Sequence, residues 1–238
     1  MTAGMQATSK HYIHETAIVG EGAVIGEGAY VGPYCCVGDR VVLGDGVKLE
    51  SHVVITGLTA IGPNSSVYPF ASLGQPPQDL KYKGEESRLE IGKNTVIREY
   101  VTANTGTEGG GMVTRIGDGC LIMAYCHIAH DCLVGNDVIM ANGVNLSGHV
   151  AVGDNAVIGG MSAVKQFIRI GKHAMIGGAT GIDRDVIPFG LVRSGRSTTL
   201  HGLNIVGLKR RGFAADTIRE MMSAYKDMFV TPGESINF

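Results

Sequence analysis

Aliphatic residues recur every sixth position along most of this chain. They stand at Ile13, Val19, Ile25, Val31, Val37, Leu43, Leu49, Ile55, Ile61, Val67 and Leu73. The period returns at Ile91 and Ile97. From Ile116 it runs without a slip through Ile122, Ile128, Val134, Met140, Leu146, Val152, Ile158, Val164, Ile170 and Ile176 to Ile182. Glycine often comes next, at Gly20, Gly26, Gly32, Gly38, Gly44, Gly62 and Gly74. The fifth position of each six is small or β-branched, as at Ala17, Ala23, Ala29, Cys35, Val41, Val47, Val53, Thr59, Ser65 and Ala71. A helix needs a period near 3.6 and an amphipathic strand a period of 2, so neither alone accounts for this spacing.

A period of six is the signature of hexapeptide repeats in a parallel β-helix. Each unit supplies one short strand and one corner, and three units close a triangular coil of 18 residues. The aliphatic residue points into the prism and stacks on its counterpart one coil later. The fifth position also points inward and must stay small beside it. The neighbouring glycine eases close backbone packing at the corner. Similarity to hexapeptide prisms implies left-handed coiling, against the usual right-handed crossover. The expected fold is all-β: a left-handed parallel β-helix over 1–190, with a short α-helical region at 191–238. Two segments break phase and read as loops, 75–90 (QPPQDLKYKGEESRLE from Gln75) and 103–115 (ANTGTEGGGMVTR). After Pro188 a polar link leads to two helices. In the second, Ile218, Met221, Met222, Tyr225 and Phe229 follow helical spacing, Asp216 lies in the first turn and Lys226 near the end.

Composition excludes several classes. Lys and Arg total 20 against 22 Asp and Glu, a net charge of −2, so bulk positive charge for nucleic acid is lacking. No apolar run approaches ~18 residues, so no membrane-inserted helix is expected. Residues 1–10 lack the apolar stretch of a secretory signal. With five cysteines in such a chain, reduced thiols and a cytoplasmic location are expected.

The candidate chemistry centres on histidine. Stacking at 18 residues puts His130 one coil below Gly148, and Asp131 one coil below His149. His130 and His149 therefore share an edge of the prism, outside the inward positions. His127 is placed at the preceding corner. A histidine poised near neutral pH suits a general base, and Asp131 can set its tautomer. The bland alternative is a set of surface corner residues. The close pairs, His11/His14 and His127/His130, are three apart and not five, so no metal centre and no cofactor is expected. Cys35, Cys120, Cys126 and Cys132 take the inward small position and read as packing. Lys209, Arg210 and Arg211 suit phosphate recognition or a solvated helix face, and Asp79 and Lys81 carry the same ambiguity.

The stretches SHVVITGLTAIG, QDLKYKGE, HIAHDCLVGN, LSGHV, IGGMSAV and NIVGLKRRGF resemble the UDP-N-acetylglucosamine O-acyltransferase family. That resemblance covers roughly 13–230, both loops and the tail included. It implies a homotrimer with sites between subunits. It implies transfer of a 3-hydroxyacyl group from acyl carrier protein to the 3-hydroxyl of UDP-N-acetylglucosamine, the opening step of lipid A biosynthesis. His130 matches the general base, Asp131 its supporting carboxylate, and Gly148 a backbone donor for the oxyanion. Gln78, Asp79 and Lys81 match a loop reaching the sugar nucleotide from a neighbouring subunit. His127 and His149 match pocket residues, and Gln166 one near the acceptor and donor groove. Asn204, Arg210 and Arg211 match nucleotide-binding residues. Gly178 matches the position limiting acyl length.

The chain departs from the family's usual residues at Lys165, Arg196 and Val206. Its second loop lacks a usual basic residue, and its tail is shorter. A lysine at position 165 is still able to meet a phosphate. These departures motivate an alternative acceptor, such as a diamino sugar nucleotide, or another thioester. A non-catalytic trimeric scaffold is the remaining alternative.

Overall fold

The computed structural model describes residues 11–193 and 198–229. Most strands are two residues long, and each pairs with the strand one coil away. His127 lies beside Asn145, and Ile128 beside Leu146, a step of 18. Among the described residues the strands form three sheets of 11, 9 and 8 members. We call the sheet holding Leu121–Ile122 the first, that of His127–Ile128 the second, and that of Leu133–Val134 the third. The inward aliphatics Ile122, Ile128, Met140, Leu146 and Ile158 are fully buried, as are the fifth-position residues Val138, Val144 and Val150. The core is one column along the prism axis. This is the left-handed parallel β-helix.

Most corners turn on one residue in the left-handed region. At three successive corners these are Tyr125, Asp131 and Asp137, with φ of 63°, 60° and 53°. That conformation costs an L-residue about 1–2 kcal/mol in isolation, and here the stacked coils on either side hold it. Glycine serves the other need, close approach. A Cβ on Gly153 would sit 2.5 Å from the backbone nitrogen of Lys172 in the next coil.

The three edges differ in what they display. Between the first and second sheets, Tyr34, His52, Phe70, Tyr100 and Tyr125 form a row of rings with centroids 4.9–5.0 Å apart. Between the third and first sheets the corner positions hold Asn64, Asn94, Asp137 and Asn155. Between the second and third sheets the chain inserts both loops. Their limits are tighter than the broken phase suggests. Strand Ser72–Gln75 precedes the first and Arg88–Ile91 follows it, so the excursion is 76–87. Strands Thr102–Asn104 and Val113–Ile116 bound the second at 105–112, which carries a 3₁₀ turn, Glu108–Gly110. Both loops therefore emerge from one edge, in consecutive coils, immediately before the coil of His130.

The tail contains two strands that the helical expectation for 191–238 lacks. Strand Gly190–Val192 continues the first sheet beside Met175–Ile176, across the expected boundary at 190. Strand Leu200–Leu203 then pairs antiparallel to it. Helices α1 (Ile205–Arg210) and α2 (Ala215–Phe229) follow. Asn204 caps α1, accepting from Gly207 N at 3.0 Å, and donates through Nδ2 to His173 O at 3.0 Å. Among the described residues no helix is long and apolar enough to cross a membrane.

Candidate active site

His130 and Asp131 occupy the corner between the second and third sheets. They do lie outside the prism, yet they are not surface residues: they are 5% and 4% exposed. The two loops cover them. Asp131 turns the corner, its backbone N–H donating to Thr114 Oγ1 at 2.8 Å. Its carboxylate accepts three hydrogen bonds. Thr107 N donates to Oδ1 at 2.8 Å, Thr107 Oγ1 to Oδ2 at 2.6 Å, and His130 Nδ1 to Oδ2 at 2.8 Å. With the proton held on Nδ1 and donated to the carboxylate, Nε2 keeps its lone pair. That is the tautomer a base needs. Asp79 Oδ2 lies 3.9 Å from Nε2.

Gly148 lies one coil above. A Cβ there would come within 2.5 Å of His130 Cε1, so only glycine lets the backbone lie against the imidazole. Gly148 is buried, and among the described residues its N–H has no acceptor. A buried donor without an acceptor is uncommon. His149 meets His130 edge to face at 5.0 Å and stacks on Phe167 at 4.5 Å. Burial pushes His149 below the ordinary histidine value. Asp131 and Asp79 oppose that shift, and His130 and Lys81 add to it. His127 lies on strand His127–Ile128 and not at a corner, because the corner falls at Ala124–Tyr125. Its Nδ1 is 2.7 Å from Thr102 Oγ1, and burial, with His130 nearby, holds its pKa down.

Within its own chain the first loop faces this corner. Asp79 meets His130 of its own chain, because strand Arg88–Ile91 returns the loop to the same edge. Gln78 and Lys81 are exposed beside it. Lys165 and Gln166 follow strand Ala163–Val164 along this edge, one coil beyond Gly148, and both are exposed. Phe167 N donates to Gly148 O at 3.3 Å.

Four expected residues lie elsewhere. Gly178 is at the corner after Met175–Ile176, on the edge between the first and second sheets. Asn204, Arg210 and Arg211 line a cavity of about 760 Å³ with Val157, Met175, Leu191 and the exposed Val206. Val157, Met175 and Leu191 belong to the first sheet, the side of the triangle opposite the edge of His130. One chain therefore does not bring the tail residues to His130. Arg196 lies outside the described residues.

Thr107, Thr114 and Gly110 also contribute to the site, and of these three only Thr114 holds a place in the repeat. Thr114 was accessible in principle: it stands two residues before Ile116, the inward fifth position. Thr107 sits in a loop with no phase to place it. The thiols do take the packing role. Burial pushes Cys120 and Cys126 up to about 11 and Cys132 to about 12, too high for thiolate chemistry near neutral pH. His130, Asp131 and His149 place donor atoms within 4.8 Å of one another. A cation bound between His130 and Asp131 would have to displace the Nδ1 proton that joins them.

The UDP-N-acetylglucosamine acyltransferase of Campylobacter jejuni has a structure similar to this one, with a TM-score of 0.88 at 41% identity over 92% of this chain and 85% of that chain. The chain belongs to the UDP-N-acetylglucosamine acyltransferase family. LpxA of Acinetobacter baumannii superposes with a TM-score of 0.90 at 44% identity, covering 94% of this chain and 86% of that one. The acyl-[acyl-carrier-protein]–UDP-N-acetylglucosamine O-acyltransferase of Paracoccus denitrificans is 56% identical over 168 residues, which are 71% of this chain and 62% of that protein. The chain thus spans somewhat under two thirds of that curated relative. The family model described as UDP N-acetylglucosamine O-acyltransferase, domain 2, matches 185–236, and the bacterial transferase hexapeptide model matches 22–57 and 114–148.

Proposed function

We propose that this protein moves a 3-hydroxyacyl chain from acyl carrier protein to the 3-hydroxyl of UDP-N-acetylglucosamine, the first step of lipid A biosynthesis, by direct general-base catalysis. The observation that carries the reading is the His130–Asp131 pair at 2.8 Å with the Gly148 backbone packed on the ring. A sugar hydroxyl is a weak nucleophile. His130 Nε2 takes its proton as the oxygen attacks the thioester carbonyl. Negative charge gathers on the carbonyl oxygen, and the Gly148 N–H is the donor aimed at it. The C–S bond then breaks, and the imidazolium returns its proton to the departing thiolate. Asp131 steadies the charged ring meanwhile. The ester forms with no covalent acyl-enzyme.

We propose that the working unit is a homotrimer in the cytoplasm. His130 and the Asn204, Arg210 and Arg211 cavity face opposite sides of one prism, so a nucleotide held by the tail meets His130 only across a subunit boundary. Gly178, on a third location, then bounds the acyl groove at the same boundary. Gln78, Asp79, Lys81, His127, His149, Lys165 and Gln166 surround the acceptor and donor groove.

Mass spectrometry of products from mixed acyl-carrier thioesters with UDP-N-acetylglucosamine and a diamino sugar nucleotide tests the chemistry. An acylated UDP-N-acetylglucosamine cleaved by mild base, as an ester is, supports the reading. A base-stable amide on the diamino sugar alone overturns it. Mixing His130→Ala with Arg210→Ala subunits tests the assembly. Each variant alone is inactive, and the mixture regains activity if the two residues act from different chains.

A further inference from the structure

The 3₁₀ turn Glu108–Gly110 has Thr107 as its N-cap, with extended backbone at φ −129° and ψ 164°. A threonine there ordinarily turns its hydroxyl onto its own turn. This one makes no such cap bond. Its hydroxyl donates to Asp131 Oδ2 at 2.6 Å, and its backbone N–H to Oδ1 at 2.8 Å. Thr107 is 6% exposed, so water does not compete for the carboxylate. The turn has a second grip on the same group. A Cβ on Gly110 would fall 1.9 Å from Asp131 Cγ, so the loop backbone lies directly on the carboxylate. The root of the loop is fixed as well, by Thr105 N to Gln75 O at 3.1 Å and Ser87 Oγ to Thr105 Oγ1 at 3.0 Å.

We infer that Thr107 is a positioning residue for this reaction: its hydroxyl and N–H hold both oxygens of Asp131 so that Oδ2 faces His130 Nδ1. The inference rests on the general-base reading above. Without these donors the carboxylate is free to rotate about its last bond, and the imidazole loses the partner that fixes its tautomer. Other groups facing His130 are Asp79 at 3.9 Å, His149 at 5.0 Å between ring centroids, and His127, whose titration senses His130.

The test uses the full chain in its native assembly. Thr107→Val removes the hydroxyl and keeps the N–H bond. Transfer to UDP-N-acetylglucosamine should fall about ten- to hundredfold in kcat, the range for a lost hydrogen bond to a charged group, with KM little changed. The acidic limb of the pH–rate profile should move to lower pH, since a carboxylate turned away from Nδ1 no longer stabilises the imidazolium. Thr107→Ser should restore both. A downfield Nδ1 proton resonance from His130 should be present in wild type and in Thr107→Ser, and altered in Thr107→Val. Wild-type kcat with an unmoved limb and resonance in Thr107→Val would overturn the inference. So would failure of Thr107→Ser to rescue, which also covers a Thr107→Val protein that does not fold. An active His130→Ala with a Thr107-sensitive resonance would retire the catalytic reading and leave the positioning intact.

Discussion

Two edges of this prism are built from the same corner and do different things. Tyr125 and Asp131 are six residues apart, with φ of 63° and 60°. On the edge of Tyr125 the corner residues stack into an exposed aromatic row. On the edge of Asp131 they form a buried acid–imidazole pair. The backbone does not distinguish them. The difference is that both loops leave the coil at the second edge, and loop 105–112 lies over Asp131. A hexapeptide corner thus presents a side chain outside the core, and a loop that excludes water turns that side chain into chemistry.

That contrast is open to breaking. Apart from His130 itself, the largest effect is expected at Gly148, where an alanine Cβ would collide with His130 at 2.5 Å. Gly148→Ala keeps the N–H but forces it away from the ring, and should cost about 10²–10³-fold in kcat, as when an oxyanion donor is taken out of place, with the fold kept by circular dichroism. Gly110→Ala follows. Its Cβ cannot coexist with Asp131 in the present geometry, so the loop must lift. About a hundredfold loss in kcat/KM is expected, as for a displacement near 1 Å. On the other edge, Tyr100→Ala removes stacking with Phe70 and Tyr125 and should lower stability by about 1–3 kcal/mol in urea unfolding. It should leave the pH–rate limb unmoved. A shifted limb would erase the distinction between the edges.

The smallest effect is a pH dependence of stability. Burial holds His127 and His149 below the ordinary 6.5. The unfolded chain takes up protons there first. Stability is therefore complete above about 6.5 and declines as pH falls through that value towards the depressed pKa values. His127→Gln should flatten this part of the thermal midpoint profile, and an unchanged slope would count against burial as its cause.

Much of this is legible in the sequence. The step of 18 alone stacks Gly148 on His130 and His149 on Asp131, because a two-residue strand with in-register pairing leaves no slack. The limits of the loops were less legible. Arg88 and Glu90 are outward residues of a four-residue strand, and their charge conceals it. Strand Leu200–Leu203 has too few residues to show a pattern, and it pairs Val192 with Leu200 and Gly190 with Leu203 across a reversal that the repeat does not encode. Thr107 was invisible for a different reason. Its role comes from a loop folding back on a corner 24 residues later, a contact that no period specifies.

The decisive measurement is single-turnover acyl transfer from acyl carrier protein to UDP-N-acetylglucosamine by His130→Ala, alongside its oligomeric state and nucleotide binding. The account predicts a loss of about 10²–10⁴-fold with assembly and binding retained. Transfer at the wild-type rate would contradict it.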